Sequence, residues 1–505
     1  MSRVQLIARN MGATAIYQVI SIVFGFVIPQ LFLSTYGPEL HGLTSLITNV
    51  MSYVLLLNAG LNTASVQALY EPIAKNDINR VNSILKAIKR QYFNIGIVYI
   101  VAVAFVSISL PFFVKDVSFN MVMFLVIVMG FQSVIDAFLI SSGRILLQAN
   151  QELSIYTVIS TLVFVIRGIV QIVFINYKFS PILVQSVPTV TSILTYVLLI
   201  IFIKKTYHYI NIKDVEPDNK ALSKRWSALV HELASLVLNN TDVVILTMST
   251  GNMILVSIYS IYEFVFSHIH GLIVTLFSTS SVASFGNIIA SGSQKDVLKA
   301  YNLYEFVYYG FITFVYSMTG VMILDFVSLY TSSVENVKYV DPLLAMLFIV
   351  FGVVNNLRVP GTTMISAAGH FKETKNRAIV EMSINLVASL ILFHFFSIYG
   401  LVLGTILSFI YRTTDIIIYI NAKILKTSSK RSFLRALKVI LTIIFIIFLC
   451  SSVFNFAISS WYMWLLKAII SSILAIIVII LINYVSERSY TTLVYQQVMK
   501  RIKHR

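Results

Sequence analysis

Cysteine is almost missing: Cys450 is the only one in 505 residues, so no internal disulfide and no cysteine-based metal site can form. Charge is also scarce, at 11% of residues, and acidic residues are the scarcer sign, with 21 Asp and Glu against 37 Lys and Arg. No stretch is rich enough in Ser, Gly and Pro to form a disordered domain. No connector is long enough to fold a soluble one. The alternation in roughly ten-residue segments that marks a membrane barrel is absent. No constellation of nucleophile, base and acid is evident, and the extended loop that carries the reactive groups of multi-spanning polymerases and lipid-dependent glycosyltransferases is lacking. A membrane enzyme of that kind is kept as an alternative reading.

What fills the chain instead is apolar sequence, 58% hydrophobic with a mean hydropathy of +0.86. Stretches of about 20 apolar residues, the length that crosses a bilayer, recur from end to end. The reading is an all-α polytopic membrane protein with fourteen transmembrane helices. The first run, Ile16 to Leu33, is too long for the core of a cleaved signal and is read as an uncleaved span. The net charge of +16 is topological, because by count about 30 of the Lys and Arg fall in loops that are cytoplasmic if the N-terminus is inside. Both termini are therefore expected in the cytoplasm and nucleic acid is not expected as a partner.

Charge and composition divide the chain. Residues 1–203 hold spans one to six, the basic connector 204–226 follows, and 227–421 hold spans seven to twelve. A basic loop, 422–438, precedes spans thirteen and fourteen and a basic tail in 439–505. The two six-span lobes look alike. Thr63-Ala64-Ser65-Val66 matches Thr279-Ser280-Ser281-Val282, and at the same offset Ile73-Ala74 matches Ile289-Ala290 and Val81 matches Val297. Six spans separate the copies, so they share orientation and are related by an axis along the membrane normal.

Polar residues inside the spans are costly and therefore informative. His231, Ser235, Asn239 and Asp242 fall on one helical stripe, and Glu263, Ser267 and His270 fall on another in the next span. Two adjacent helices are thus expected to wall a polar lumen. Three arginines, Arg167, Arg358 and Arg412, lie within apolar runs. Arg412 has Asp415 three residues on, whereas Arg167 has no Asp or Glu at three or four residues on either side. Glu381 and Asp136 are expected to face headgroup-level water, and Lys467 to anchor span fourteen at the outer interface.

Particular stretches resemble a known family. Asn240-Thr241-Asp242-Val243-Val244-Ile245-Leu246 with Val256-Ser257-Ile258-Tyr259-Ser260 looks like the opening of the second lobe of Wzx-type polysaccharide flippases. Tyr36-Gly37 through Leu57-Asn58-Ala59-Gly60-Leu61 resembles their second span, and Leu146-Leu147-Gln148-Ala149-Asn150-Gln151 their turn after span four. The similarity covers most of the first twelve spans; the last two match in hydropathy only.

That resemblance implies two six-helix lobes alternating access to a central cavity in a bacterial cytoplasmic membrane. It implies as cargo an oligosaccharide on undecaprenyl diphosphate, with membrane lipid, a polysaccharide polymerase and glycosyltransferases as partners. Arg167, Arg358 and Arg412 would then meet the diphosphate, since a guanidinium fork suits bidentate phosphate contacts. Asp242, Glu263 and His270 are candidates for coupling to Na⁺ or H⁺, and no cofactor is expected. An ion-coupled multidrug exporter is the alternative within the fold. Unlike the lipid II flippase, this chain has no cationic residue between Arg9 and Glu71 apart from neutral His41.

Overall fold

The computed structural model describes residues 3–58, 60–453 and 458–503, and leaves the side chains of 3–8, 11, 57, 223–235, 239, 279, 280, 498 and 501–503 outside the description. Among the described residues every regular element is helical. In chain order the α-helices are α1 (Arg3–Tyr36), α2 (Pro38–Leu55), α3 (Leu61–Ala74), α4 (Ile78–Ser109), α5 (Phe119–Ile135), α6 (Ser141–Ala149), α7 (Leu153–Asn176), α8 (Pro181–Thr206) and α9 (Trp226–Thr250). They continue with α10 (Met253–Ala290), α11 (Gln294–Tyr330), α12 (Pro342–Leu357), α13 (Val359–Ala368), α14 (Phe371–Phe396), α15 (Ile398–Tyr419), α16 (Lys430–Val453), α17 (Trp461–Ser486) and α18 (Arg488–Lys503). Five-residue and six-residue π-helical segments, Asp136–Ile140 and Ile420–Leu425, continue α5 into α6 and extend α15.

Among the described residues, twelve helical segments are long and apolar enough to cross a membrane. Two more complete the fourteen. One is α9; the other is expected span two, which is split into α2 and α3 around the 3-10 turn Leu56–Asn58. Gly60, at φ 73, then starts α3, a backbone value that a Cβ would strain. Expected span ten also divides, into α12 and α13 at Arg358, because Pro360 has no N–H to continue the ladder and its ring crowds the preceding turn. Pro29 and Pro188, by contrast, lie inside the single helices α1 and α8.

The chain forms two compact units, residues 1–260 and 261–505. The sequence repeat is visible within each as the same helix-to-helix corner. In the first, α3 ends at Ala74, Asn76 adopts φ 54, and the Asp77 carboxylate accepts from the Arg80 backbone N–H to cap α4. In the second, α10 ends at Ala290, Gly292 adopts φ 77, and the Ser293 hydroxyl accepts from the Asp296 N–H to cap α11. Each element of the second corner lies 216 positions after its counterpart, as 293 follows 77. Val81 and Val297, one residue past those contacts, are both buried.

Large apolar side chains such as Phe105, Leu441 and Ile469 are more than half exposed along the helices. Such a surface suits contact with acyl chains rather than water. In lipid the apolar surface gives helices little reason to associate, so close packing and polar contacts hold them together. The α14–α15 hairpin illustrates this. A Cβ on Gly400 would lie 2.1 Å from the Leu392 carbonyl oxygen and one on Gly404 would lie 2.4 Å from the Ser389 nitrogen. These two glycines, four residues apart, let the backbones touch, and Asn385 donates to the Thr405 hydroxyl at 2.9 Å beside them. Gly404→Ala should therefore overpack the crossing and destabilise the protein by about 1–3 kcal/mol. Thermal unfolding in detergent is the check, with exposed Leu407→Ala as control; equal midpoints for the two variants would refute it.

The connector between α8 and α9 is fastened to the first unit. Lys86 on α4 donates to the carbonyls of Lys213 and Val215, Asn82 donates to the Tyr209 carbonyl, and the Asp218 N–H donates to the Ser83 carbonyl. Tyr207 donates to Glu152 at 2.6 Å. These five hydrogen bonds make it a strap rather than a tether.

Candidate functional site

In the first unit Asp242 is buried at the inner face of α9, and its Oδ2 accepts from the Tyr259 hydroxyl at 2.7 Å. Next to it in sequence, the Thr241 hydroxyl lies 2.6 Å from that of Tyr53 on α2. The same face of α2 meets the first turns of α10. A Cβ on Gly42 would lie 2.0 Å from the Met253 carbonyl oxygen, so only glycine permits this approach. His41 Nδ1 is 2.9 Å from the Ser257 hydroxyl, and the Ser45 and Ser260 hydroxyls are 2.6 Å apart. A polar seam of small residues thus joins α2, α9 and the start of α10. Of the predicted stripe on α9, the side chains of His231, Ser235 and Asn239 lie outside the described residues.

Arg167 occupies the middle of α7. Its Nε donates to Gln171 Oε1 at 3.4 Å, and its guanidinium lies 5.5 Å from the centre of the Phe164 ring. Phe164 is in turn met edge-on by Tyr17 and Phe24 of α1. Among the described residues no carboxylate comes within 4.0 Å of Arg167. The sequence showed this for its own helix, and the fold extends it to the neighbours.

Arg358 and Arg412 have a different setting in the second unit. The break between α12 and α13 aims Arg358 at Glu381 of α14, with its guanidinium 4.4 Å from the Phe409 ring centre. Arg412 on α15 reaches the other oxygen of Glu381 at 3.4 Å and Asp415 at 3.0 Å. Arg377 closes the cluster on Asp415. Within this cluster three cations share two carboxylates among the described residues, the third being the partly exposed Arg377. Glu381 is 4% exposed. It is thus a buried counter-ion and not the interfacial group expected, since three helices converge around it.

His270 on α10 is half-buried, and its Nδ1 lies 3.2 Å from Asn356 Oδ1. Asn356, fully buried, also accepts from Tyr308 at 3.1 Å and donates to Tyr316 at 2.6 Å, both on α11. Sequence reading missed this hub, although the pair Asn355-Asn356 within an apolar run is a signal of it. Glu263 lies two turns before His270 and is half-buried, whereas Ser267 between them is exposed.

A second buried charge cluster also escaped notice. Arg435 belongs to α16, which begins inside the basic stretch that reads as a loop. It is 3% exposed and bonds Glu305 of α11 at 2.9 Å and Glu487 at 2.5 Å. Lys438 reaches Glu487 at 3.0 Å. At the other end of α17, Lys467 pairs with Asp325 at 2.6 Å and is buried, so it fastens α17 to α11 rather than anchoring at the interface. Paired charges thus clamp the C-terminal helices to α11 near both ends.

No family model and no curated protein matches the sequence. Solved structures do. The lipid II flippase MurJ in an inward closed conformation aligns over 94% of this chain and 98% of its own, with TM-score 0.65 and 16% identity. A multidrug resistance MATE family transporter of the MOP superfamily, inward-facing, aligns over 80% of this chain and 95% of its own, with TM-score 0.63 and 14% identity. A MOP superfamily transporter from Pyrococcus furiosus aligns over 84% and 96%, with TM-score 0.54 and 15% identity. The protein is a polytopic helical membrane protein. Its fold is that of MOP superfamily transporters.

Proposed function

We propose that the chain is a flippase of the Wzx type, moving undecaprenyl-diphosphate-linked oligosaccharide across a bacterial cytoplasmic membrane for surface polysaccharide assembly. The observation that carries this reading is the positive charge inside the spans: Arg167, which makes no ion pair within 4.0 Å among the described residues, and the Arg358 and Arg412 guanidiniums held on Glu381 and Asp415. A diphosphate headgroup crosses hydrocarbon only where its charge is met, while its prenyl chain stays in lipid. The alignment with the lipid II flippase covers 94% of the chain against 80% for the inward-facing multidrug transporter, an extent consistent with a lipid-linked cargo. Both termini are assigned to the cytoplasm by the Lys and Arg distribution.

The direct test is reconstitution of the purified protein in vesicles with labelled lipid-linked oligosaccharide in the inner leaflet, and separately with a cationic drug. Translocation of the lipid supports the reading. Movement of the drug alone replaces it with the multidrug exporter. Release or joining of sugar units would instead indicate an enzyme.

An ion-coupled exporter is the second reading, favoured by the carboxylates Asp242 and Glu263 and by the MATE neighbours. Either cargo is compatible with coupling through these groups. Asp242→Asn and Glu263→Gln are expected to reduce transport with normal protein abundance, and Tyr259→Phe, which removes one bond to Asp242, to reduce it less. Full activity of both carboxylate variants across a pH series would reduce them to structural contacts.

A further inference from the structure

The first unit holds a cavity lined by none of the residues proposed for cargo or ion coupling. It has a volume of about 180 Å³, open on one side, between α4, α6, α8 and the connector that follows α8. Its walls are apolar: Leu85 from α4, Phe138 and Leu139 from the π-helical segment, Leu199 and Ile203 from the last turns of α8. The connector contributes Ile210 and Ile212. One charged residue lines it, Lys89, which is exposed and makes no ion pair among the described residues. Lys204 and Lys205 follow Ile203 directly and add to the positive side. Two carboxylates near the connector have hydrogen-bond partners: Glu152 accepts from Tyr207 and Asp214 from Asn211.

The location defines the ligand. The cavity sits where α4 passes from its polar first turns into its apolar run and where α8 ends in two lysines, which is the depth of the cytoplasmic headgroups. An open groove of this size lined by Leu, Ile and Phe takes a segment of an acyl chain, the rest of which stays in the bilayer, and a cation at its mouth meets a phosphate. We propose that it is a binding site for an anionic glycerophospholipid of the inner leaflet, with the phosphate at Lys89 and one acyl chain between α8 and the π-helical segment.

The consequence follows from Ile210 and Ile212. The connector is held on α4 by Lys86 through the carbonyls of Lys213 and Val215, so lipid and Lys86 secure the same strap from two sides. An occupied site stabilises the docked connector, and an empty one loosens it.

The test uses the delipidated full-length protein in micelles doped with phosphatidylglycerol or with phosphatidylcholine. Bound lipid is counted by native mass spectrometry, and tryptic cleavage of the connector at Lys213 and Lys220 is timed. Phosphatidylglycerol should bind in preference by at least about fivefold, the ratio that one headgroup-level cation confers. It alone should slow cleavage. Lys89→Gln, at an exposed position, should erase the preference, and Ser142→Trp should fill the cavity and erase both binding and protection. Equal binding of the two lipids, or protection that survives Ser142→Trp in folded protein, overturns the proposal. Displacement of phosphatidylglycerol by farnesyl diphosphate at low occupancy would give the cavity to a prenyl cargo, overturning the phospholipid assignment while leaving the flippase reading in place.

Discussion

Replacing Arg167 with alanine is expected to lower glycan export by roughly ten- to a hundredfold, at unchanged protein abundance. A hydrogen bond to a charged partner is worth about 1.5–3 kcal/mol, and about 1.4 kcal/mol is tenfold in rate if the contact is made in the limiting step. Arg167 qualifies for this role because its present partners are weak: a 3.4 Å bond to Gln171 and the face of Phe164. A guanidinium inside a span with no carboxylate within 4.0 Å among the described residues retains donors for an anion. Arg167→Lys keeps the charge and loses the planar fork, so it should fall between parent and alanine variant. Surface glycan and lipid-linked oligosaccharide should be quantified together. Normal export by Arg167→Ala would move the cationic centre to the Arg358 and Arg412 cluster, where part of the charge is already matched by Glu381 and Asp415.

Arg435→Ala should produce the largest loss of stability, about 3–5 kcal/mol. Its guanidinium bonds Glu305 and Glu487 at once, and Glu305 is fully buried, so removal strands a carboxylate without a counter-charge. Breaking a buried pair costs more than the pair contributes, because the partner cannot be resolvated. The paired replacement Arg435→Met with Glu305→Met should therefore recover much of the loss. Unfolding midpoints in detergent for the singles and the double decide this, and a single variant that melts with the parent removes the clamp.

Glu487 gives the same cluster a pH dependence. Burial pushes its carboxyl up, but the bonds from Arg435 and Lys438 outweigh burial and hold it at about 2, below the ordinary 4.5. Its share of stability is thus present above pH 4.5 and is lost as pH falls toward 2. Glu487→Gln should flatten that part of the acid profile.

The charge clusters mark where sequence reasoning stops. Arg412 with Asp415 was legible, because three residues along a helix bring side chains to one face, and the two do bond at 3.0 Å. Arg358 with Glu381, Lys467 with Asp325 and Arg435 with Glu305 were not, since their partners lie on other helices as many as 142 residues away. Lys467 was read as an interfacial anchor for that reason. The Asn356 hub was hidden in the same way, its bonds to Tyr308 and Tyr316 crossing from α12 to α11.

Hydropathy alone determined the helical membrane class and the places of the spans, because a bilayer demands about 20 apolar residues and satisfied backbone hydrogen bonds from any crossing segment. The repeated corner was also written in sequence: Asp77 and Ser293 are cap residues whose side chains bond the next turn. Tertiary structure decided which intramembrane charges are matched. Among the described residues it left Arg167 without an ion pair, gave Glu381 two arginines and buried Arg435 against α11. The physical reason is that the cost of a charge in a membrane is set by what lies within a few ångströms of it, and in a helical bundle those neighbours come mostly from other helices.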